Sequence, residues 1–400
     1  MTAPTTVPTP ADSRPAVATP SAVDWSLACP ACDYTQSGAE PASVCPRCGQ
    51  PLFARYAVRG GRDRITARTD MWRYGPLMPL ARGEEPVSLG EGCTPLTAFP
   101  HLARELGVAR LWVKNEAVSP TTSFKARGMS AAVTRARALG ARGLTAPTNG
   151  NAGAALAAYA AAANLPARVY GPRVMPVPIQ RQIEALGAEL VLVDGHIGDA
   201  GRASRAYAAE AGWSDVATLR EPYRLEGKKT MGIEVAEQLG WRLPDAIVFP
   251  TGGGIAIIGM WKAFAELRAA GWLDPDAPLP RMLLAQSDGC APLVEAWRAR
   301  ADHAHAWPDP ETHATGLRVP APLGDRLILR ALRESGGDAI AVSEQAIREG
   351  TAWLSRRTGI DACPEGGAAL AGLDAFVRDG RLSRDAEVVL FNTGSGALYR

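Results

Sequence analysis

Lysine is rare in this 400-residue chain. Of its 43 basic residues only five are lysine, at positions 114, 125, 228, 229 and 262. Arginine cannot replace lysine where a deprotonatable primary amine is required, so each retained lysine is a candidate for amine chemistry. Lys125 stands out. It lies in Val118-Ser-Pro-Thr-Thr-Ser123-Phe124-Lys125-Ala126-Arg127-Gly128, where a turn leads into an Ala-rich helix. The macrodipole disfavours a cation near a helix N-terminus, and desolvation beside Phe124 adds to that. Both effects favour the free amine, which is a nucleophile and a base. A surface lysine fits the same pattern, and the segment alone leaves both open.

Cys29-Pro-Ala-Cys32 and Cys45-Pro-Arg-Cys48 form a CxxC-x12-CxxC array. Two such knuckles can supply four thiolates to tetrahedral zinc. Four protein ligands leave no open position, so the expected role is structural. A pair of disulfide-linked hairpins is the other possibility. Cys93, Cys290 and Cys363 are isolated and are expected to be small buried residues.

Three further segments could bind anions or a ring. Pro147-Thr148-Asn149-Gly150-Asn151-Ala152-Gly153 joins a strand to an Ala-rich helix, and its N–H groups suit a carboxylate. Thr251-Gly252-Gly253-Gly254-Ile255 follows the apolar strand Ala246-Ile-Val-Phe-Pro250, the arrangement in which backbone amides cradle a phosphate. Glu387-Val-Val-Leu-Phe-Asn392-Thr393-Gly394 delivers a hydroxyl at the carboxyl end of a strand, where open α/β sheets bind ligands. Each is also an ordinary turn, and none is decisive alone.

The elements needed to position these residues are legible. Short apolar runs at 110–114, 143–147, 167–171, 189–193, 245–250, 281–286 and 387–392 are expected strands. Helices are expected at 126–138, 152–164, 199–212, 231–239, 255–270, 343–357 and 367–378. That alternation predicts a mostly parallel sheet covered on both faces. Residues 1–25, rich in Pro, Thr and Ala, are expected to form a disordered tail and not a signal peptide. Residues 54–90 are expected to be a linker anchored by Trp72 and Tyr74, and 301–325 a loop excursion. Hydrophobic residues make up 46% of the chain, enough for two or three domains. The net charge of +2 makes no case for a nucleic-acid partner. No apolar run reaches the roughly 18 residues of a membrane span, so a cytoplasmic protein with reduced thiols is expected. Only five histidines occur, which argues against His-based triads and His metal sites.

The order of these segments resembles the fold-type-II pyridoxal-phosphate (PLP) enzymes, the tryptophan-synthase-β-like group, and within it the threonine synthase branch. The resemblance spans about Leu27 to Tyr399. Besides the segments above it includes Trp72-Arg-Tyr, Ser88-Leu-Gly-Glu-Gly-Cys-Thr-Pro95, Glu221-Pro-Tyr-Arg224-Leu-Glu-Gly-Lys-Lys-Thr230, Gly316-Leu-Arg-Val-Pro320 and Pro364-Glu-Gly-Gly-Ala-Ala369. It implies that Lys125 carries the cofactor as a Schiff base and shuttles protons. It implies that Asn151 lies beside the pyridine hydroxyl, that Gly252, Gly253, Gly254 and Ile255 hold the cofactor phosphate, and that Thr393 faces the pyridine nitrogen. Ser123, Thr148, Asn149 and Gly150 would bind the substrate, the last three at its α-carboxylate. Arg224 would bind the substrate phosphate, with Lys228 and Lys229 nearby.

The implied reaction converts O-phosphohomoserine and water to threonine and phosphate. The implied architecture is an N-terminal zinc-ribbon-like module (26–53) followed by two open, twisted α/β subdomains with PLP in the cleft. The large subdomain would comprise 54–138 and 216–400, and the small one 139–215. A homodimer is implied as well. Three departures from the family pattern stand out: Thr122 replaces a glycine, Ile255-Ala256 replaces Thr-Gly after the glycine run, and Ala397-Leu398 replaces Leu-Lys. They keep open a related β- or γ-elimination or replacement enzyme, such as an amino-acid dehydratase or specialised-metabolite synthase, and a non-catalytic PLP or amino-acid binder.

Overall fold

The computed structural model describes residues 23–57 and 60–400. Most of the tail expected over 1–25 lies outside the described residues. Its last residue does not fit that expectation: Trp25 is buried and opens the strand Trp25–Ala28. That strand pairs antiparallel with Thr35–Ser37 and Phe53–Tyr56, so the cysteine segment is a small three-stranded unit.

Two larger sheets follow. The six-stranded sheet has the order Asp338–Val342, Arg281–Ser287, Ala246–Pro250, Glu387–Asn392, Arg110–Asn115, Leu96–Ala98. All of its pairs are parallel except the last. The four-stranded sheet is parallel, in the order Glu189–Val193, Ala167–Pro172, Leu144–Pro147, Ser214–Asp215. The central strands are apolar throughout because helices cover both faces. Along Ala246–Pro250, Ile247 and Phe249 enter one core while Ala246 and Val248 enter another. A third core belongs to the four-stranded sheet, where the helix Asn151–Ala162 contributes Ala154, Ala155, Ala157 and Ala158 to close packing.

All seven expected strands are present. Leu96–Ala98, Ser214–Asp215 and Asp338–Val342 were not expected; the first two are very short, and all three are edge strands. Of the four unexpected helices, Pro100–Leu106, Val177–Ala185, Pro292–Arg298 and Asp325–Glu334, the first three carry proline in their first two positions. Proline breaks helix interiors but suits helix starts. The helix expected at 231–239 begins at Tyr223 and runs to Gln238. The Glu221 carboxylate caps it, accepting from Tyr223 N at 2.9 Å and Arg224 N at 2.7 Å. Its first turns are buried and charged, so they show no apolar stripe.

This helix crosses Lys125–Ala138 and Ile255–Ala269 at glycines. A Cβ at Gly227 would stand 2.0 Å from Arg127 O, and one at Gly259 would stand 3.0 Å from Lys229 N. On its far side Tyr223–Gln238 supports the cysteine unit. Trp25 packs edge-on against Tyr223, and Tyr56 donates to Glu226 at 2.8 Å.

Candidate active site

A cavity of about 420 Å³ lies between the two large sheets. Its wall brings together Lys125, Thr148, Asn149, Gly150, Asn151, Gly252, Gly253, Gly254, Ile255 and Thr393, all singled out in the sequence. Ser123, Arg224 and Lys228 are buried and are not among the residues of the wall. Arg224 turns away and donates to Val216 O at 2.8 Å. Lys228 donates to Phe124 O, beneath the cavity floor.

Lys125 opens the helix Lys125–Ala138, with its Nζ 4.2 Å from the centre of the Phe124 ring. Desolvation and the nearby Arg224 guanidinium pull its amine down to about 8, against the opposing influence of Glu365 and Cys363. The free amine is thus a minor form at pH 7 and the major form above about 8. The turn before it is strained. Thr121 and Thr122 both have φ of 55°, a left-handed conformation that β-branched residues rarely adopt. Thr122 therefore holds a backbone conformation that glycine favours, at the position where the resembled pattern is expected to carry glycine. Ser395 N clamps it by donating to Thr122 O at 3.0 Å.

Gly252, Gly253 and Gly254 join Ala246–Pro250 to the helix Ile255–Ala269. Gly254 is the left-handed residue that starts the helix, at φ 69°. The three N–H groups have no acceptor among the described residues. Three open donors at a helix N-terminus suit a phosphate dianion. Ile255 is buried here and presents no hydroxyl.

The asparagine loop is fixed internally. Thr148 Oγ1 accepts from Gly150 N at 2.8 Å and Gly153 N at 3.0 Å, so its hydroxyl is largely committed to its own loop. Asn149 Nδ2 donates to Arg318 O at 2.9 Å. Asn151 Nδ2 donates to Tyr399 Oη at 3.0 Å, whereas its Oδ1 is buried and has no partner among the described residues. Thr393 Oγ1 lies 3.6 Å from Cys363 Sγ.

Several wall residues had no assigned role in the sequence reading. Glu365 and Tyr399 lay within the segments compared with the family, yet nothing in their spacing distinguished them. Arg202, Arg205 and Arg220 also line the cavity. Arg202 pairs with Asp199, whereas Arg205 and Arg220 have no ion pair among the described residues. Desolvation and its arginine neighbours hold the Arg205 guanidinium below its ordinary value, against Asp215. In an arginine-biased chain these three carried no distinguishing signal. Their i, i+3 spacing on the helix Ile197–Ala211 was the only clue to a shared face for Arg202 and Arg205.

The four cysteines of the N-terminal unit converge. Their sulfurs lie within 4.8 Å of one another, with Cys29–Cys48 at 3.4 Å and Cys32–Cys45 at 3.6 Å. Tetrahedral Zn–S bonds of about 2.3 Å set sulfurs about 3.8 Å apart, whereas a disulfide needs about 2.05 Å. The cluster therefore has the spacing of a metal site.

The cavity fits PLP: open donors for a phosphate, a free amine for an aldehyde, and a hydroxyl and an amide for a ring. Comparison with known proteins agrees. Residues 87–394 match the family described as pyridoxal-phosphate dependent enzyme. The threonine synthase of Methanocaldococcus jannaschii is 35% identical over 376 residues, 92% of this chain and 91% of that protein. The Mycobacterium tuberculosis threonine synthase is 34% identical over 325 residues, 81% and 86% of the two chains. Among solved structures, maize serine racemase shares the fold with a TM-score of 0.66 at 22% identity, covering 76% of this chain and 88% of that one. The processed form of threonine deaminase isoform 2 from Solanum lycopersicum shares it with a TM-score of 0.63 at 20% identity, covering 76% and 83%. The chain belongs to the fold-type-II pyridoxal-phosphate-dependent enzymes, in the threonine synthase family.

Proposed function

We propose that this lyase converts O-phosphohomoserine and water to threonine and phosphate. The supporting observation is a second anion pole in the cavity. The glycine run on the large sheet suits the cofactor phosphate. Arg202, Arg205 and Arg220, on and just after the small sheet's last helix, are a separate cationic set. An enzyme acting on unphosphorylated serine or threonine has no need of it, whereas a phosphorylated substrate does.

Bound PLP supplies the electron sink that makes a substrate carbanion accessible. The chain's own residues do the rest. The N–H groups of Asn151 and Ala152, at the start of Asn151–Ala162, bind the α-carboxylate and fix the Cα–H bond toward Lys125. The Lys125 amine, brought down to about 8, removes that proton and then carries protons to and from the neighbouring carbons. Arg205 and Arg220 hold the departing phosphate. Thr393, a neutral hydroxyl at the expected ring nitrogen, favours elimination and replacement over transamination.

Phosphate release from O-phosphohomoserine, run beside 2-oxo acid formation from L-serine and L-threonine, tests this. Arg205→Ala or Arg220→Ala should raise KM for O-phosphohomoserine about tenfold to a hundredfold, the worth of a charged hydrogen bond. The absorbance of lysine-bound cofactor, near roughly 410–420 nm, should persist in both variants and vanish in Lys125→Ala. Turnover of L-threonine with no phosphate release would make the protein a deaminase instead.

We infer also that the four cysteines hold one structural zinc ion. Metal analysis should find it, and Cys32→Ser should lower metal content and melting temperature together. A metal-free protein of unchanged stability would overturn this.

A further inference from the structure

The last turn of the chain borders the cavity. Arg400 fastens it to Asp361 with bonds of 2.9 and 3.0 Å, and Ser395 Oγ donates to the same carboxylate at 3.1 Å. This anchoring brings the Tyr399 phenol into the cavity wall. The Tyr399 hydroxyl joins two sheets' worth of structure. It donates to Glu365 Oε1 at 2.9 Å, at the start of the helix Pro364–Arg378, and accepts from Asn151 at the start of Asn151–Ala162. Gly316 N gives Glu365 Oε1 a second bond at 2.8 Å.

One carboxylate oxygen is therefore held twice, while the other is left alone. Glu365 is 5% exposed, and its Oε2 is buried with no partner among the described residues. A buried, unpartnered charged oxygen is costly, so a cation that completes it is stabilised in turn. The cavity wall offers the Lys125 amine. Of the charges that act on that amine, Arg224 opposes the protonated form, whereas Glu365 and, more weakly, Cys363 favour it. Lys228, under Phe124, lies in the same neighbourhood, its own amine held well below its ordinary value by desolvation first and then by Lys125 and Arg224.

We propose that Glu365 is the counter-charge of the Lys125 amine, and that Tyr399 is the positioning residue that aims its free oxygen at it. The bond to Asn151 makes the same phenol set the amide expected beside the cofactor ring. The C-terminal turn thus completes the site from outside either sheet. This rests on family membership and on Lys125 as the cofactor lysine, not on O-phosphohomoserine as substrate.

Cofactor capture tests it without turnover. Full-length protein is freed of cofactor by dialysis against cysteine and mixed with PLP, and growth of the lysine-bound absorbance is followed from pH 6 to pH 10. Capture needs the free amine, so the wild-type rate should rise with a midpoint near the Lys125 value of about 8. Glu365→Gln keeps an acceptor for Tyr399 but removes the charge, and should lower the midpoint by about one pH unit. Tyr399→Phe leaves the carboxylate charged but unaimed, and should lower it by less. Unchanged midpoints in both variants would overturn the proposal. So would a Tyr399→Phe protein with a reduced melting temperature and a wild-type midpoint, which is the result of a merely structural tyrosine. A failure of phosphate release from O-phosphohomoserine would leave these midpoints measurable.

Discussion

Lys228 and Lys229 are adjacent on one helix and both wholly buried, yet they sit in opposite electrical surroundings. Lys229 belongs to a balanced set: it pairs with Glu226 at 2.6 Å and Glu266 at 2.8 Å, and Lys262 joins the same two carboxylates. A second balanced set lies further along the helix, where Glu234 pairs with both Arg127 and Lys114, and Arg127 also pairs with Glu116. Lys228 belongs to a third group, with Arg224 and Lys125, that has no ion pair among the described residues. Desolvation depresses all three of its members; Arg224 adds to it at both lysines and Lys125 adds to it at Lys228, whereas Glu221 and Asp215 oppose it at Arg224. Balanced buried charges hold helices together; unbalanced ones surround the amine that must be free. Function here is marked by missing partners.

Removing a partner from a balanced set should have the largest effect. Glu234→Gln leaves Arg127 and Lys114 with one carboxylate between them, and should cost about 3–5 kcal/mol of stability in denaturant unfolding. A loss below about 1 kcal/mol would show that the set is not effectively buried.

The unbalanced group should respond in pH and not in stability. Arg224→Gln removes a cation that depresses Lys125, so the midpoint of cofactor capture should move up from about 8, by about one unit. If Arg224 acts only on substrate phosphate, KM will rise and that midpoint will stay. The sign for stability follows from the same amine. A lysine held at about 8 when folded, against 10.5 as its ordinary value, binds fewer protons folded than unfolded between those values. The cofactor-free protein should therefore gain stability from Lys125 as pH rises from about 8 toward 10.5. A flat or falling contribution, measured against Lys125→Met, would contradict the depressed value.

The smallest change is expected at Lys228. Lys228→Met exchanges an already disfavoured charge for apolar bulk and gives up one bond to Phe124 O. Stability should stay within about 1 kcal/mol of wild type. A loss matching that of Glu234→Gln would erase the contrast between the two lysines.

Much of the frame was readable in the chain. Continuous apolar runs such as Val388–Phe391 announce strands covered on both faces, and the Gly252–Gly254 turn announces a helix start. What escaped has physical reasons. Helices with Pro100, Pro178 or Pro292 in their first two positions read as breaks. The first turns of Tyr223–Gln238 are buried charge, which has no apolar period to detect. Within the cavity, Lys125 was visible because lysine is scarce, and Arg205 and Arg220 were invisible because arginine is not. Arg224 was expected at the substrate phosphate from its motif, but the direction of its side chain depends on Val216 O, a long-range partner that no local pattern encodes. Glu365 and Tyr399 gain a role only once the last turn folds back across the chain.

The glycine crossing of Tyr223–Gln238 with Lys125–Ala138 sets a tolerance on all of this. With a Cβ at Gly227 only 2.0 Å from Arg127 O, one added methyl would have to force the two backbones apart. Arg127 and Lys125 ride on the same rigid rod, so the displacement would travel to the reactive nitrogen and to the buried carboxylates at once. Gly227 touches neither cofactor nor substrate, yet Gly227→Ala should be as poorly tolerated as many changes in the cavity itself. In a library of variants selected for turnover, this mute position would be nearly as invariant as the lysine it spaces.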